Sequence, residues 1–166
     1  MKVYIITRFS IFDPSYNGFK IKHKNGDNYK EKLFNKKRLD AKFSFFEKMT
    51  LPSVLNQTYK DWESHIFTSN ELLENYKKKL EQLTSSYTSI KICYIKNFKE
   101  FNFKPSSMDK YFCTIRLDDD DGIHSSFFNN LQKYKESKNS VVSHVNGICF
   151  TPLEFSNEHL KYIIIY

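Results

Sequence analysis

Four consecutive acids, Asp118–Asp121, form the densest set of chemically useful side chains in this 166-residue sequence. They follow Phe112-Cys113-Thr114-Ile115-Arg116-Leu117, a run of strand-forming residues, and precede Gly122-Ile123-His124 and a helix-like segment. A strand that ends in such a run gathers carboxylates at one edge of a sheet. Like charges there repel, and a divalent cation relieves the repulsion. Hard cations with oxygen ligands suit the set, so Mn²⁺ or Mg²⁺ is expected rather than Zn²⁺, for which no Cys/His group stands nearby. An isolated run of four acids is equally well a solvated turn, so its surroundings must decide. His124 could add a ligand, but a His near a helix start reads first as surface.

The second set is the arginines. Only Arg8, Arg38 and Arg116 stand among the 26 basic residues. The net charge of +7 would attract anions, yet the lysines are spread along the whole chain and read as solvated surface. Arginine is the residue suited to bidentate phosphate or carboxylate contacts, which singles these three out. No RRM, KH or zinc-finger signature accompanies the charge, so no nucleic acid partner is expected; a basic nucleic-acid-binding module stays as the lesser alternative.

Cys93, Cys113 and Cys149 are odd in number and lack a CxxC spacing, which argues against a disulfide framework and a zinc site. Each lies in an apolar, strand-like run, where Cys behaves as a small hydrophobe. A reducing, cytoplasmic compartment is expected. No apolar run approaches the ~18 residues of a membrane span. The start, Met1–Arg8, is too short and too soon polar for a signal peptide.

The elements that must position these groups can be read in order. Val3–Ile6 is a buried strand, left through Thr7-Arg8-Phe9-Ser10. Residues 11 to about 29 hold Pro14, Asn17-Gly18 and Asn25-Gly26-Asp27, all turn signals; a connection of that length is functional or mobile. Leu39, Phe43, Phe46 and Met49 give a helical stripe from about Lys36. Pro52 marks a break or a fresh start, with Thr50 able to cap. Trp62–Thr68 is a second strand. Asn70 can cap the next helix, whose stripe is Leu72, Leu73, Tyr76, Leu80 and Leu83. Ile90–Ile95 is the third strand, residues 97–110 are ambiguous, and Phe112–Leu117 is the fourth strand. Phe127, Phe128, Leu131 and Tyr134 mark an amphipathic helix. Asn146-Gly147 between Ser140–Val145 and Ile148–Thr151 is a hairpin signal, and Lys161–Tyr166 is strand-like.

This alternation predicts an α/β fold with a mostly parallel sheet flanked by helices. Ligands of such sheets bind beyond the carboxyl ends of the strands. Thr7-Arg8 and Asp118–Asp121 both stand at such ends. An arginine and a metal-binding acid cluster on one edge suit a ligand with a diphosphate.

Two stretches carry a resemblance. Pro52-Ser53-Val54-Leu55-Asn56-Gln57-Thr58-Tyr59-Lys60-Asp61-Trp62-Glu63 closely resembles the "SvLnQTyknwE" segment of family 2 glycosyltransferases, which have the GT-A fold, and Arg116–Asp121 resembles their DxD-type motif. The succession Ile6-Thr7-Arg8-Phe9, Arg38-Leu39 with Phe43 and Phe46-Glu47, Leu51-Pro52-Ser53 and the acids is similar, more narrowly, to the putative rhamnosyltransferase branch, over most of residues 3–153.

The resemblance implies a single GT-A-like, Rossmann-like nucleotide-sugar-binding domain over 1–166 with a C-terminal hairpin. It implies a metal-dependent, inverting transfer of a sugar from a nucleotide-sugar donor to a hydroxyl of a glycan or other acceptor. Thr7 and Arg8 would line the nucleotide pocket, Asp118 would face the ribose, and Asp120 would hold the metal. Arg38 and Arg116 would contact phosphate or brace the acids. Asp119 falls to the donor and Asp121 to the metal, although four acids allow two registers of the motif. Gln57 and Thr58 are expected to fix a helix–strand turn, and Trp62 to pack in the core.

Two departures stand out. An acid that touches the base often follows the second strand in related enzymes, and here that place reads Phe67-Thr68-Ser69-Asn70. Related chains also continue well past this length, into an acceptor half that carries the base. The alternative is therefore an inactive donor-binding remnant. Glu154 and Glu158 are the positional candidates for a base, and both read equally as surface acids.

Overall fold

A computed structural model describes residues 1–16, 28–106, 108 and 110–136, all within the unit Met1–Glu136. The hairpin signal at Asn146-Gly147, Cys149, Glu154, Glu158 and the run Lys161–Tyr166 lie outside the described residues.

Four strands form one sheet: β1 (Lys2–Phe9), β2 (Trp62–Ser69), β3 (Ile90–Ile95) and β4 (Phe112–Arg116), in the order β3-β2-β1-β4. Every pairing is parallel, with Ile5 opposite Ser64 and Ile115 and Ile66 opposite Ile92. The helices are α1 (Tyr29–Leu33), α2 (Lys36–Phe45), α3 (Leu51–Leu55), α4 (Glu74–Thr84) and α5 (Phe127–Leu131). The α/β, Rossmann-like arrangement expected from the alternation is present. No helix among the described residues is long and apolar enough to cross a membrane.

Side chains alternate across a strand, and here the two sheet faces receive different cover. Phe9 and Ile66 pack with Leu39, Phe43 and Phe46, and with Leu72, Tyr76 and Leu80. Val3 and Ile5 pack with Val54, Trp62, Leu117 and Phe128. These clusters place α2 to α5 on one face. Each fully buried Leu, Ile or Phe there contributes about 1.5–3 kcal/mol. The other face is covered by the coil after β3. Phe98, Phe101 and Phe103 pack against Ile6, Phe67, Cys93 and Ile95, and Phe103 meets the rings of Tyr4 and His65.

This split follows from connectivity. The chain steps from β1 to β2 to β3 in one direction, then reverses past β1 to lay down β4. Right-handed crossovers put the forward connections on one face and the return on the other. The strand order therefore reverses between β1 and β4, where open α/β sheets bind ligands.

The helical run 36–55 does not restart at Pro52. Phe45, Phe46, Thr50 and Leu51 all keep right-handed helical dihedrals, and a π turn spans Phe46–Thr50. Proline has no N–H to give and crowds the carbonyl four residues back. Widening the preceding turn, with Leu51 N–H reaching Phe46 O, relieves that conflict. The α4 helix begins later than Asn70 would set it, with Leu73 at its N-cap.

Candidate functional site

Arg8 and Arg116 leave the carboxyl ends of β1 and β4, two residues past Ile6 and Thr114 on the aromatic-covered face. Together with Ile6, Thr114, Phe98 and Phe101 they line an open cleft of about 250 Å³. Asp118 follows on the same side. Its carboxylate lies 3.6 Å from Arg8 Nη2, and Arg116 donates to it from Nε at 3.4 Å and from Nη2 at 3.3 Å. Two guanidiniums and one carboxylate leave a net positive charge. Arg8 Nε is buried with no hydrogen-bond partner among the described residues.

Asp119 turns the opposite way. It is 3% exposed, and the Lys42 ammonium pairs with both of its carboxylate oxygens. Its carbonyl accepts 2.9 Å from Thr50 Oγ1, at the end of the π turn. Burial pushes the Asp119 carboxyl up, opposed by the Lys42 charge. Asp120 and Asp121 are exposed in the turn closed by Asp121 N–H to Asp118 O at 3.2 Å. Burial, then the neighbouring Asp120 and Asp118 charges, push the Asp121 carboxyl up.

The loop that carries these acids is held at both ends. Gly122 sits against the π turn; a Cβ there would meet Met49 Cγ at 3.1 Å. Downstream, the fully buried Gln57 donates from Nε2 to His124 O at 2.7 Å and Ser53 O at 2.9 Å, and its Oε1 accepts from Phe128 N at 3.0 Å. Thr58 N–H reaches Ser125 O at 2.9 Å. Gln57 and Thr58 thus tie the α3–β2 turn to the chain that leaves the acid cluster.

A family model described as "Putative rhamnosyl transferase" matches residues 2–152. The chain belongs to that family. No curated protein matches it.

Within this rhamnosyl transferase family chain, the residues named from sequence divide by sheet face. Arg8, Arg116 and Asp118 meet at the cleft. Thr7 is buried on the helical face, opposite Ile66. Arg38 stands at the same strand edge, donating from Nη1 to Leu33 O at 2.8 Å and Ser10 Oγ at 3.2 Å. Burial draws the Arg38 guanidinium down, against the Asp119, Tyr29 and Asp120 charges. Ser10 holds φ 50° just beyond β1, a left-handed conformation that costs a non-glycine residue about 1 kcal/mol or more and recurs at ligand sites. His124 Nδ1 lies 2.9 Å from Ser126 Oγ within its own turn, and Trp62 is core.

Sequence reasoning missed three parts. Lys42 was lost among the lysines, although it falls between Leu39, Phe43 and Phe46 on the buried stripe of α2, where a charge needs a partner. Asp13, buried in the loop after β1, accepts from Ser15 N at 2.8 Å, Ser15 Oγ at 2.6 Å and Phe98 N at 2.8 Å. Burial would raise its carboxyl, but these bonds, from Ser15 first and Phe98 next, hold it below its ordinary value. Phe98 and Phe101 lay in a stretch with no periodicity to place them.

Proposed function

We propose that residues 1–166 act as a single GT-A-like unit of a metal-dependent glycosyltransferase that resembles the family 2 enzymes. It transfers a sugar from a nucleotide-sugar donor to a hydroxyl of a glycan or other acceptor. The family supports the class of reaction. The observation that carries the site is the meeting of Arg8, Arg116 and Asp118 where strand order reverses. Two guanidiniums there suit the two phosphates of a nucleoside diphosphate.

The acids fit a hard cation of limited protein ligation. No group of three or more His, Cys, Asp or Glu among the described residues is arranged to hold a metal. Magnesium-type sites use one or two carboxylates and complete their shell with substrate phosphates and water. Asp120 and Asp121, exposed and crowded by like charge, match that donor set. They would hold Mn²⁺ or Mg²⁺, and the bound ion supplies charge neutralisation to the departing diphosphate.

Arg8 and Arg116 bind the diphosphate and stabilise the charge it gains as it leaves. Asp118 orients both guanidiniums and faces the ribose. The Lys42–Asp119 pair and Gln57 keep the loop in place, and Arg38 adds positive charge behind it. The acceptor oxygen bonds to the anomeric carbon as the carbon–phosphate oxygen bond breaks, and the acceptor proton passes to a base. One displacement inverts the anomeric configuration.

The test is a panel of UDP-, GDP- and dTDP-sugars with Mn²⁺ or Mg²⁺, scored by release of nucleoside diphosphate. Metal-dependent release, lost in Asp120→Ala, is expected. Donor binding without release under any acceptor would identify the inactive remnant instead. Donor affinity in Asp120→Ala equal to wild type would remove the metal assignment.

A further inference from the structure

The cleft has a second, aromatic wall beside the two guanidiniums. Among the described residues, Phe98 and Phe101 line it together with Ile6, Thr114 and the two arginines. Both rings are half-buried. Phe101 rests on Phe67 of β2, with ring centroids 4.2 Å apart, and Phe98 lies 5.9 Å from Phe101 at an interplanar angle of 34°. Tyr16 backs Phe98 at 4.6 Å and 31°.

These rings sit on coil, so something must fix them. The Phe98 amide donates to Asp13 Oδ2, and Asp13 is itself tied to Ser15 and, through its amide, to Tyr29 Oη at 3.2 Å. The carboxylate thereby couples the loop that follows β1, the strand bearing Arg8, to the coil after β3, which carries the rings. A coil held this way is a built wall, and an apolar aromatic surface beside two guanidiniums is what a nucleoside diphosphate presents in complement: a flat ring and two phosphates.

We propose that Phe98 and Phe101 form the nucleobase platform of the donor site, with Asp13 as the positioning residue that sets Phe98 against Arg8. This rests on the donor-site reading above and extends it to the nucleoside. The cleft volume of about 250 Å³ falls below the ~300–1,000 Å³ of enclosed ligand sites, so a nucleoside diphosphate would lie along it with part of its surface in solvent. Among the described residues that line the cleft, the polar ones are Arg8, Arg116 and Thr114. An aromatic platform reads ring faces, which every base has. The end of β2 reads Thr68-Ser69-Asn70, and the first acid beyond it, Glu71, pairs with Lys30. The site is therefore tolerant of the base, accepting pyrimidine and purine diphosphates alike.

The experiment compares inorganic pyrophosphate with UDP, dTDP and GDP by calorimetry, with Mg²⁺ in every arm, on wild type, Arg8→Ala, Phe101→Leu, Phe98→Leu and Asp13→Asn. Leucine keeps apolar packing on Phe67 and removes the ring face, and thermal unfolding confirms that each variant is folded. The three nucleoside diphosphates should bind about tenfold or more tighter than pyrophosphate, and within about tenfold of one another. Phe101→Leu and Phe98→Leu should erase most of that gain while pyrophosphate affinity stays unchanged. Asp13→Asn should reduce the gain in the same selective way, whereas Arg8→Ala should weaken all four ligands together. If nucleosides add nothing over pyrophosphate, or the leucine variants keep the gain, the platform is wrong while the diphosphate site stands. Selectivity above about a hundredfold for one base would overturn the tolerance. If pyrophosphate and nucleoside diphosphates all fail to bind, the donor site fails, and the platform with it.

Discussion

Asp118 and Asp119 are adjacent in sequence and opposite in environment. The Asp118 side chain is 41% exposed at the cleft between Arg8 and Arg116, whereas the Asp119 side chain is 4% exposed beneath α2 and bound to Lys42. The strand period of two explains the division, because consecutive residues leaving β4 point to opposite sheet faces. One carboxylate is anchored into the helical face and the next is offered to solvent and ligand. An acid run at a strand end therefore supplies both the fixing and the working group, and substitution should separate them.

The largest effect is expected from Asp119→Ala. Removing one partner leaves Lys42 nearly buried and unpaired, at a cost of about 3–5 kcal/mol, measured as a shift in the denaturant midpoint at constant slope. Asp118→Ala should stay within about 1 kcal/mol of wild type, because exposed ion pairs contribute little. A loss from Asp118→Ala as large as that from Asp119→Ala would dissolve the distinction. The double change Asp119→Leu with Lys42→Met sharpens it: stability should return to near wild type, since apolar pairs often replace buried ion pairs without loss.

Gln57→Ala comes next. It strips the Phe128 amide and the His124 and Ser53 carbonyls of their partner, and buried groups left so cost about 1–3 kcal/mol. Because the same side chain holds the acid loop, donor affinity should fall as well. Loss of stability with unchanged donor affinity would mean that the loop holds its shape without this tie.

The smallest effects lie in pH. Asp13 has a folded value below its ordinary one, so its contribution is fully present above the ordinary carboxylate range and is lost as pH falls through the lowered value. His65 is drawn down, chiefly by burial, although Glu63 at 2.6 Å opposes this. Its neutral form is the folded one, so stability should begin to fall once pH drops below the ordinary histidine value of 6.5. Thermal unfolding of wild type and His65→Gln across pH 5–8 checks this; an equal slope in both would exclude His65 as the source.

The same division sets what could be read from the sequence. Ile90–Ile95 was placed to the residue, and β1, β2 and β4 within a few residues, because each is a short run of β-branched, aromatic and other apolar residues. The helical stripe Leu39, Phe43, Phe46 was legible from its periodicity. The π turn was not, since it arises from Pro52 together with the tertiary bond from Thr50 to Asp119 O. Arg8, Arg116 and Asp118 were legible as strand-end residues, and their meeting follows once β1 and β4 are known to be neighbours. Lys42 and Asp13 were not singled out, because each acts through a partner 77 or 85 residues away in sequence, and only the fold makes those pairs. Phe98 and Phe101 were hidden by a coil whose position depends on sheet order.

The central claim is that the Asp118 side of this edge binds the diphosphate of the donor. Calorimetric titration of UDP with Mn²⁺ into wild type and the Arg8→Ala, Arg116→Ala double variant tests it most directly. Each lost charge-assisted contact is worth about 1.5–3 kcal/mol, so affinity should fall by a hundredfold or more while the unfolding midpoint stays put. Equal affinity in the two proteins would contradict the account.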